Sequence, residues 1–347
     1  MNAASFVAAV EQKLRSLLNE QKSLWTAQQR DVAQVFDVIG ALALAPGKRV
    51  RPQCVDLGWR AAGGARGHVT PIQIGAAMEL VHVSALLHDD IIDDAATRRG
   101  TVTAHRAAAT EHERNQWAGE PRRFGEGVAL LAGDVALTLA DFALGDANSS
   151  ALAQWRAVRL DVTLGQFLDH VATARRVRET TVSDVIVRLK TAQYTIVRPL
   201  LLGAYAADES HARDIDPVLT SFGAAIGRAF QLHDDLLGVF GDSSVVGKPV
   251  GDDLREGKPT VLLALAYERA DESERRLLDM VGTEAVTDSD LERVMAVMET
   301  TGARASVHEE IAHLTQSAID ALSPSSIAAD VVEDLSQLAV TLMNRQA

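Results

Sequence analysis

Two stretches decide how this chain is read: Met78-Glu79-Leu80-Val81-His82-Val83-Ser84-Ala85-Leu86-Leu87-His88-Asp89-Asp90-Ile91-Ile92-Asp93-Asp94 and, far downstream, Phe230-Gln231-Leu232-His233-Asp234-Asp235-Leu236-Leu237. In each, an apolar run of helical character leads into a Leu-His-Asp-Asp step. The two copies are too widely separated for a solenoid repeat. They predict two buried helices that each end in a pair of carboxylates. On the first helix, Asp89 and Asp93 lie one turn apart, and Asp90 and Asp94 form a parallel row beside them. Carboxylates crowded in this way repel one another unless a cation sits among them. Oxygen donors without His or Cys suit Mg²⁺ or Mn²⁺.

Outward from these stretches the chain is helical. Ala and Leu are abundant, aromatic residues make up 4%, and no alternating run bounded by hairpin turns stands out. Helices are predicted over 4–19, 26–44, 50–62, 71–92, 125–144, 151–172, 182–206, 216–239, 259–270, 287–300, 303–322 and 327–344. Pro71 and Pro259 fall near helix starts, where a missing N–H matters least. Polar breaks at 63–67, 111–125, 241–258 and 323–326 are too short for flexible linkers. The prediction is an all-α protein, one domain over 1–347, folded as an antiparallel bundle of about ten or more helices.

Composition narrows the function. The 347 residues are 47% hydrophobic, and the formal charge of −13 argues against a nucleic-acid surface. It does not argue against an anionic substrate, since a few cations and a metal in a cleft outvote the global charge. Cys54 is the only cysteine, which excludes an intrachain disulfide and a Cys-ligated zinc site and suits a reducing cytoplasm. Neither a signal-peptide core nor a transmembrane segment is predicted.

Cations follow each acidic cluster. Arg98 and Arg99 come after Asp94, Lys248 and Lys258 lie in the Gly/Asp-rich stretch 247–258, and Gly47-Lys48-Arg49-Val50-Arg51-Pro52 leads a loop into a helix. Diphosphate needs such a set: metal ions bridge its oxygens while Lys and Arg clamp the rest. The 251–258 run is not a P-loop, because five residues separate its glycines and Pro259 stands where Ser or Thr would bind magnesium.

Together these residues resemble the trans-isoprenyl diphosphate synthases, the head-to-tail polyprenyl synthetase family, in their geranylgeranyl diphosphate synthase-like form. The family's D-D-x-x-D is matched by Asp89, Asp90 and Asp93, its G-K-x-x-R by Gly47, Lys48 and Arg51, and its G-Q-x-x-D by Gly165, Gln166 and Asp169. Its K-T pair is matched by Lys190 and Thr191, and its F-Q-x-x-D-D by Phe230, Gln231, Asp234 and Asp235. His82, seven residues before Asp89, matches the family's histidine. The resemblance implies an isoprenoid-synthase bundle with a central substrate cavity, acting as a homodimer in the cytoplasm. It implies three Mg²⁺, replaceable by Mn²⁺, on Asp89, Asp90, Asp93, Asp169 and Asp234. Isopentenyl diphosphate is assigned to Lys48, Arg51, His82 and Arg99. The allylic prenyl diphosphate is assigned to Arg98, Lys190, Thr191, Gln231, Lys248 and Lys258, with Lys190, Thr191 and Gln231 serving catalysis.

One position departs from the family: Gly238 stands where the second cluster would have its third aspartate, and Asp242 is the expected substitute. Product length is read from Ser84 and Ala85, where short-chain members carry bulky aromatics. Both are small here, which implies geranylgeranyl diphosphate; the alternatives are a longer-chain polyprenyl diphosphate synthase and a class I terpene cyclase. The cyclase would have an Asn/Ser/Glu second site and no use for Lys48, Arg51 and His82. His88 and His233 match no family ligand and are read as structural, and Trp25, Trp59, Trp117 and Trp155 as packing residues.

Overall fold

The computed structural model describes residues 2–98, 100–241, 251–323 and 325–344, with the backbone alone at Asp252. They gather into two compact units, each discontinuous in sequence: Met1–Arg156 with Pro199–Asp214, and Ala157–Arg198 with Ile215–Ala347.

The first unit is built around α4 (Val69–Ile92), which packs against α1 (Ala3–Thr26), α2 (Ala33–Ala43), α3 (Val50–Ala61) and α6 (Pro121–Leu144). Helix α1 starts at a capping box between Asn2 and Ser5 and buries Phe6, Val10, Leu14, Leu17 and Leu18 at helical spacing. Helix α4 is buried along most of its length, so its apolar residues serve a core. Both α4 and α6 are long and apolar enough to cross a membrane by length and composition alone, and 61% and 44% of their apolar windows are buried inside the protein. Helix α3 crosses a later helix, α9 (Arg198–Ala207), at backbone contact: a Cβ on Gly58 would lie 1.8 Å from the Leu200 carbonyl oxygen.

Helix α5 (Ala104–Arg114) lies against α6 and was not anticipated, because its Ala-His-Arg-Ala and Glu-His-Glu-Arg composition carries no apolar stripe. Helix α6 starts at Pro121, four residues earlier than predicted, with Pro in its first turn and the Glu120 carboxylate accepting from the Arg122 and Arg123 N–H groups. Between α4 and α5, β1 (Thr97–Arg98) pairs antiparallel with β2 (Thr101–Val102).

The second unit holds most of α7 (Ser149–Ala174), then α8 (Thr180–Ile186) and a π-helical segment over Val187–Val197. The predicted helix over 182–206 is therefore three pieces. Helix α10 (Glu209–Phe240) begins before the predicted start at 216 and carries Pro217 inside it. It is followed by α11 (Asp252–Glu256), α12 (Val261–Arg269), α13 (Glu272–Leu278), α14 (Asp288–Thr300), α15 (Ala303–Leu322) and α16 (Ala329–Met343). Leu232, Leu236, Val239, Leu254, Leu262, Leu278, Met298 and Val307 form one buried cluster in this unit. The tryptophans divide: Trp59 and Trp155 are buried as predicted, Trp117 is partly exposed but packs edge-on against Phe124 and His112, and Trp25 is partly exposed and does not serve the core.

Candidate active site

In the first unit the acidic cluster occupies the end of α4. Asp89 and Asp90 are helical, and Asp93 caps the helix with its N–H donating to the Asp89 carbonyl at 2.9 Å. Asp94 corrects the sequence reading. Its φ of +50° takes it out of the helix, so it forms no row with Asp90. It pairs instead with Arg106 at 2.8 Å. The β1–β2 pairing brings Arg98 back over the cluster, where Nε donates to Asp90 at 2.6 Å and Nη2 to Asp89 at 2.9 Å. Asp90 is 2% exposed, so this carboxylate depends on its cation. Burial pulls the Arg98 guanidinium down, but Asp90 and Asp89 outweigh it and hold the group above its ordinary value.

Lys48 is exposed, Arg51 and His82 are half-buried, and the Gln53 side chain donates to the Lys48 carbonyl at 2.6 Å. Ser84 is buried, 4% exposed, and Ala85 is half-buried. A cavity of about 1140 Å³ in this unit is lined by Leu86, Asp90 and Arg98, together with Val38, Ala108 and Phe124, but by neither Ser84 nor Ala85. Leu86 lies about 200° round the helix from Ser84, so this cavity is on another face of α4.

In the second unit, Asp234 and Asp235 lie inside α10, which runs on to Phe240, so the second helix does not end at its aspartates. The π-segment holds Lys190 and Thr191 against two neighbours. Lys190 Nζ donates to Asp169 at 2.6 Å, and the Thr191 hydroxyl donates to the Gln231 side-chain oxygen, whose amide donates in turn to Asp235 at 2.8 Å. Gly165 allows the approach of α7, since a Cβ there would lie 2.6 Å from the Lys190 backbone nitrogen. A π-helical turn at such a place is a common accompaniment of function.

Asp235 is 3% exposed and its second oxygen has no hydrogen-bond partner. Burial pushes this carboxyl up to about 8; the Gln231 bond opposes the shift, and the charges of Asp253, Asp234 and Asp169 add to it. An orphaned buried oxygen among carboxylates fits a cation site. Among the described residues no three acidic, imidazole or thiol groups stand close enough to hold a metal ion by themselves.

The departure at Gly238 has a structural counterpart that sequence reasoning missed. A Cβ on Gly238 would lie 2.3 Å from Asp253 Oδ2, so the Asp253 carboxylate already fills the space beside this glycine. The Gly251 N–H donates to the Gly238 carbonyl at 3.0 Å and sets α11 in place. Lys258 Nζ lies 2.8 Å from Glu256 and 3.8 Å from Asp253. The available signal was the acidic pair in Gly251-Asp252-Asp253-Leu254, close behind the gap. Arg99, Asp242 and Lys248, all named from the sequence, lie outside the described residues.

Comparison with known proteins identifies the family. The family model described as polyprenyl synthetase matches residues 33–298. The geranylgeranyl diphosphate synthase of Mycobacterium tuberculosis is 35% identical over 301 residues, covering 84% of this chain and 79% of that protein. The geranylfarnesyl diphosphate synthase of Aeropyrum pernix is 32% identical over 273 residues, covering 76% and 78%. The solved structure of geranylgeranyl pyrophosphate synthase from Corynebacterium glutamicum, complexed with isoprenyl diphosphate and magnesium, superposes with a TM-score of 0.91 at 36% identity over 100% of both chains. With its helical architecture and both aspartate clusters in place, this chain belongs to the polyprenyl synthetase family and is a prenyltransferase of that family.

Proposed function

We propose that the chain condenses isopentenyl diphosphate head-to-tail with allylic diphosphates to give all-trans geranylgeranyl diphosphate, working as a cytoplasmic, single-domain homodimer. The observation that carries this reading is that both aspartate clusters have members held by hydrogen-bonded partners: Asp89 and Asp90 by Arg98, and Asp235, beside Asp234, through Gln231 by Thr191. Asp89 and Asp93, backed by Asp90, would hold two Mg²⁺, and Asp234, with Asp169 nearby in sequence role, a third. When bound, these ions supply the charge that makes the allylic diphosphate a leaving group.

The chain's own groups do the remainder. Arg98, Lys190, Lys248 and Lys258 bind the allylic diphosphate, and each positive charge favours separation of the anion from carbon. Thr191 and Gln231 present oxygen dipoles to the allylic cation. Lys48, Arg51, His82 and Arg99 clamp isopentenyl diphosphate so that its double bond is the nucleophile. No side chain is assigned as base, and the departed diphosphate accepts the final proton. Asp253, beside Gly238, supplies the carboxylate that the family places at that position.

Small Ser84 and Ala85 support a product of geranylgeranyl length. Exposed Leu131 and Phe142 on α6, and Leu160, Leu164 and Phe167 on α7, supply apolar faces of the kind a second copy would cover. Purified protein incubated with Mg²⁺, isopentenyl diphosphate and allylic primers of increasing length tests the function, with chromatography of the dephosphorylated products. A twenty-carbon main product is expected. Cyclised hydrocarbon or no condensation refutes the reading, and a longer ladder refutes the assigned length.

A further inference from the structure

Glu79 is the one acid in the apolar run 74–87, and it is 3% exposed in the middle of α4. A carboxylate so buried needs a cation within hydrogen-bond reach. Its partner is Arg49, 6% exposed, whose Nη1 donates to Glu79 Oε2 at 2.6 Å. The same guanidinium uses its other donors on three further partners. Nε donates to Glu11 on α1 at 3.0 Å, and Nη2 donates to the Ala43 and Ala45 carbonyls at 2.9 and 2.8 Å. The Ala43 carbonyl is the last of α2, where helical partners run out, and Ala45 lies just past the C-cap Leu44. Arg49 itself is the N-cap of α3 and stands at φ 49°, ψ 45°, a left-handed conformation that a residue with a Cβ rarely adopts.

The places these two residues occupy are telling. Lys48 precedes Arg49 and Arg51 follows it by two, while His82 is one turn along α4 from Glu79. The three described residues assigned to isopentenyl diphosphate thus lie within three positions of one end or the other of this ion pair. We propose that the buried Arg49–Glu79 pair, with Arg49 folded back on the end of α2, is a positioning device that sets the distance between the Lys48/Arg51 loop and His82. It thereby fixes affinity for isopentenyl diphosphate. This rests on the assignment of those three residues made above. Neither member touches substrate; each acts through its neighbours.

The structural alternative is that the pair only holds the fold, and a double substitution separates the two. In Arg49→Met alone, Glu79 is left as an uncompensated buried charge, so that variant is expected to be unstable. In Arg49→Met/Glu79→Met both charges leave together and apolar side chains of similar length fill the space, which commonly restores stability. The double variant is expected to melt above Arg49→Met alone, though below the parent because the Ala43 and Ala45 carbonyls lose their donor, while its Michaelis constant for isopentenyl diphosphate rises on the order of tenfold, with the allylic constant and kcat changing by less than about threefold. Arg49→Lys, which keeps the charge but loses the forked donors to Ala43 and Ala45, should show the same split in milder form. Amide hydrogen exchange over 44–53 supplies a readout independent of turnover: it should quicken in the double variant and remain as in the parent elsewhere on α4. Parental Michaelis constants in the double variant, an equal rise for both substrates, or unchanged exchange over 44–53 each overturn the proposal. A parent protein that makes no prenyl product refutes the function instead, and the exchange comparison still decides whether the pair orders the loop.

Discussion

Restoring the family's aspartate at Gly238 should harm the protein, and the reason can be worked from distances. On sequence grounds Gly238→Asp completes the second cluster and ought to strengthen magnesium binding. In the structure the new Cβ would lie 2.3 Å from Asp253 Oδ2 and 3.1 Å from its Cγ, over an ångström inside ordinary contact at the closer atom. The Asp253 carboxylate must therefore swing away, and a second negative charge then stands beside it. Two like charges about 4 Å apart repel by roughly 4 kcal/mol at an effective dielectric near 20, an upper figure that the outward swing reduces. Displacing a packed neighbour costs about 1–3 kcal/mol. A net loss of about 1–3 kcal/mol is expected without metal, which for a chain of 347 residues lowers Tm by roughly 1–4 °C. Thermal melts in EDTA and with magnesium plus inorganic diphosphate measure it. Asp253→Ala should weaken magnesium dependence, and Gly238→Asp combined with Asp253→Ala should recover it, because one carboxylate again occupies one place. Should Gly238→Asp alone melt at the parental temperature in EDTA and bind magnesium more tightly, Asp253 does not fill that place and the reasoning fails.

Three further outcomes are open to measurement. Lys48→Ala and Arg51→Ala should raise the Michaelis constant for isopentenyl diphosphate well beyond that for the allylic primer, whereas Lys190→Ala and Arg98→Ala should damage the allylic partner and kcat; equal damage by all four contradicts the assignment of two sites. Ser84→Phe should shorten the product towards fifteen carbons, because a ring at a position only 4% exposed overfills its surroundings; an unaltered product distribution removes Ser84 from the length-setting path. The third concerns pH in the metal-free protein. Burial raises the Asp235 carboxyl from 3.8 to about 8, so between those values the folded state holds a proton that the unfolded chain has lost, and stability falls as pH rises across that window. Asp235→Asn removes this slope, so its urea midpoint relative to the parent should improve from pH 5 to pH 8 in EDTA; parallel midpoints refute the shift.

What was legible in the sequence had a local cause. The apolar run into Asp89-Asp90 encodes a buried helix with carboxylates at its end, and α4 delivers it. Asp94 was not legible, since its place depends on where the helix stops, and the left-handed turn at that residue sends it to Arg106. Helix α5 escaped because a short, charged segment lacks large apolar residues to mark a buried face, although its Ala-rich composition favours a helix and it packs on α6. The π-segment escaped for a different reason: its register is set by close approach to α7 and α10 at Gly165 and Gly227, where a Cβ would lie within 2.6 Å of the opposing chain. The lone acid at Glu79 shows the limit most clearly. A carboxylate inside a run of buried apolar residues announces from sequence alone that a cation must meet it. Nothing in the local sequence names that cation, because Arg49 stands thirty residues away and is as plausible a phosphate ligand as Lys48 or Arg51 beside it. Only the fold separates the three: burial and the Glu79 bond commit Arg49 to the protein's interior, while Lys48 stays exposed and Arg51 half-buried, so the motif divides into one buried structural member and the two residues proposed above for isopentenyl diphosphate.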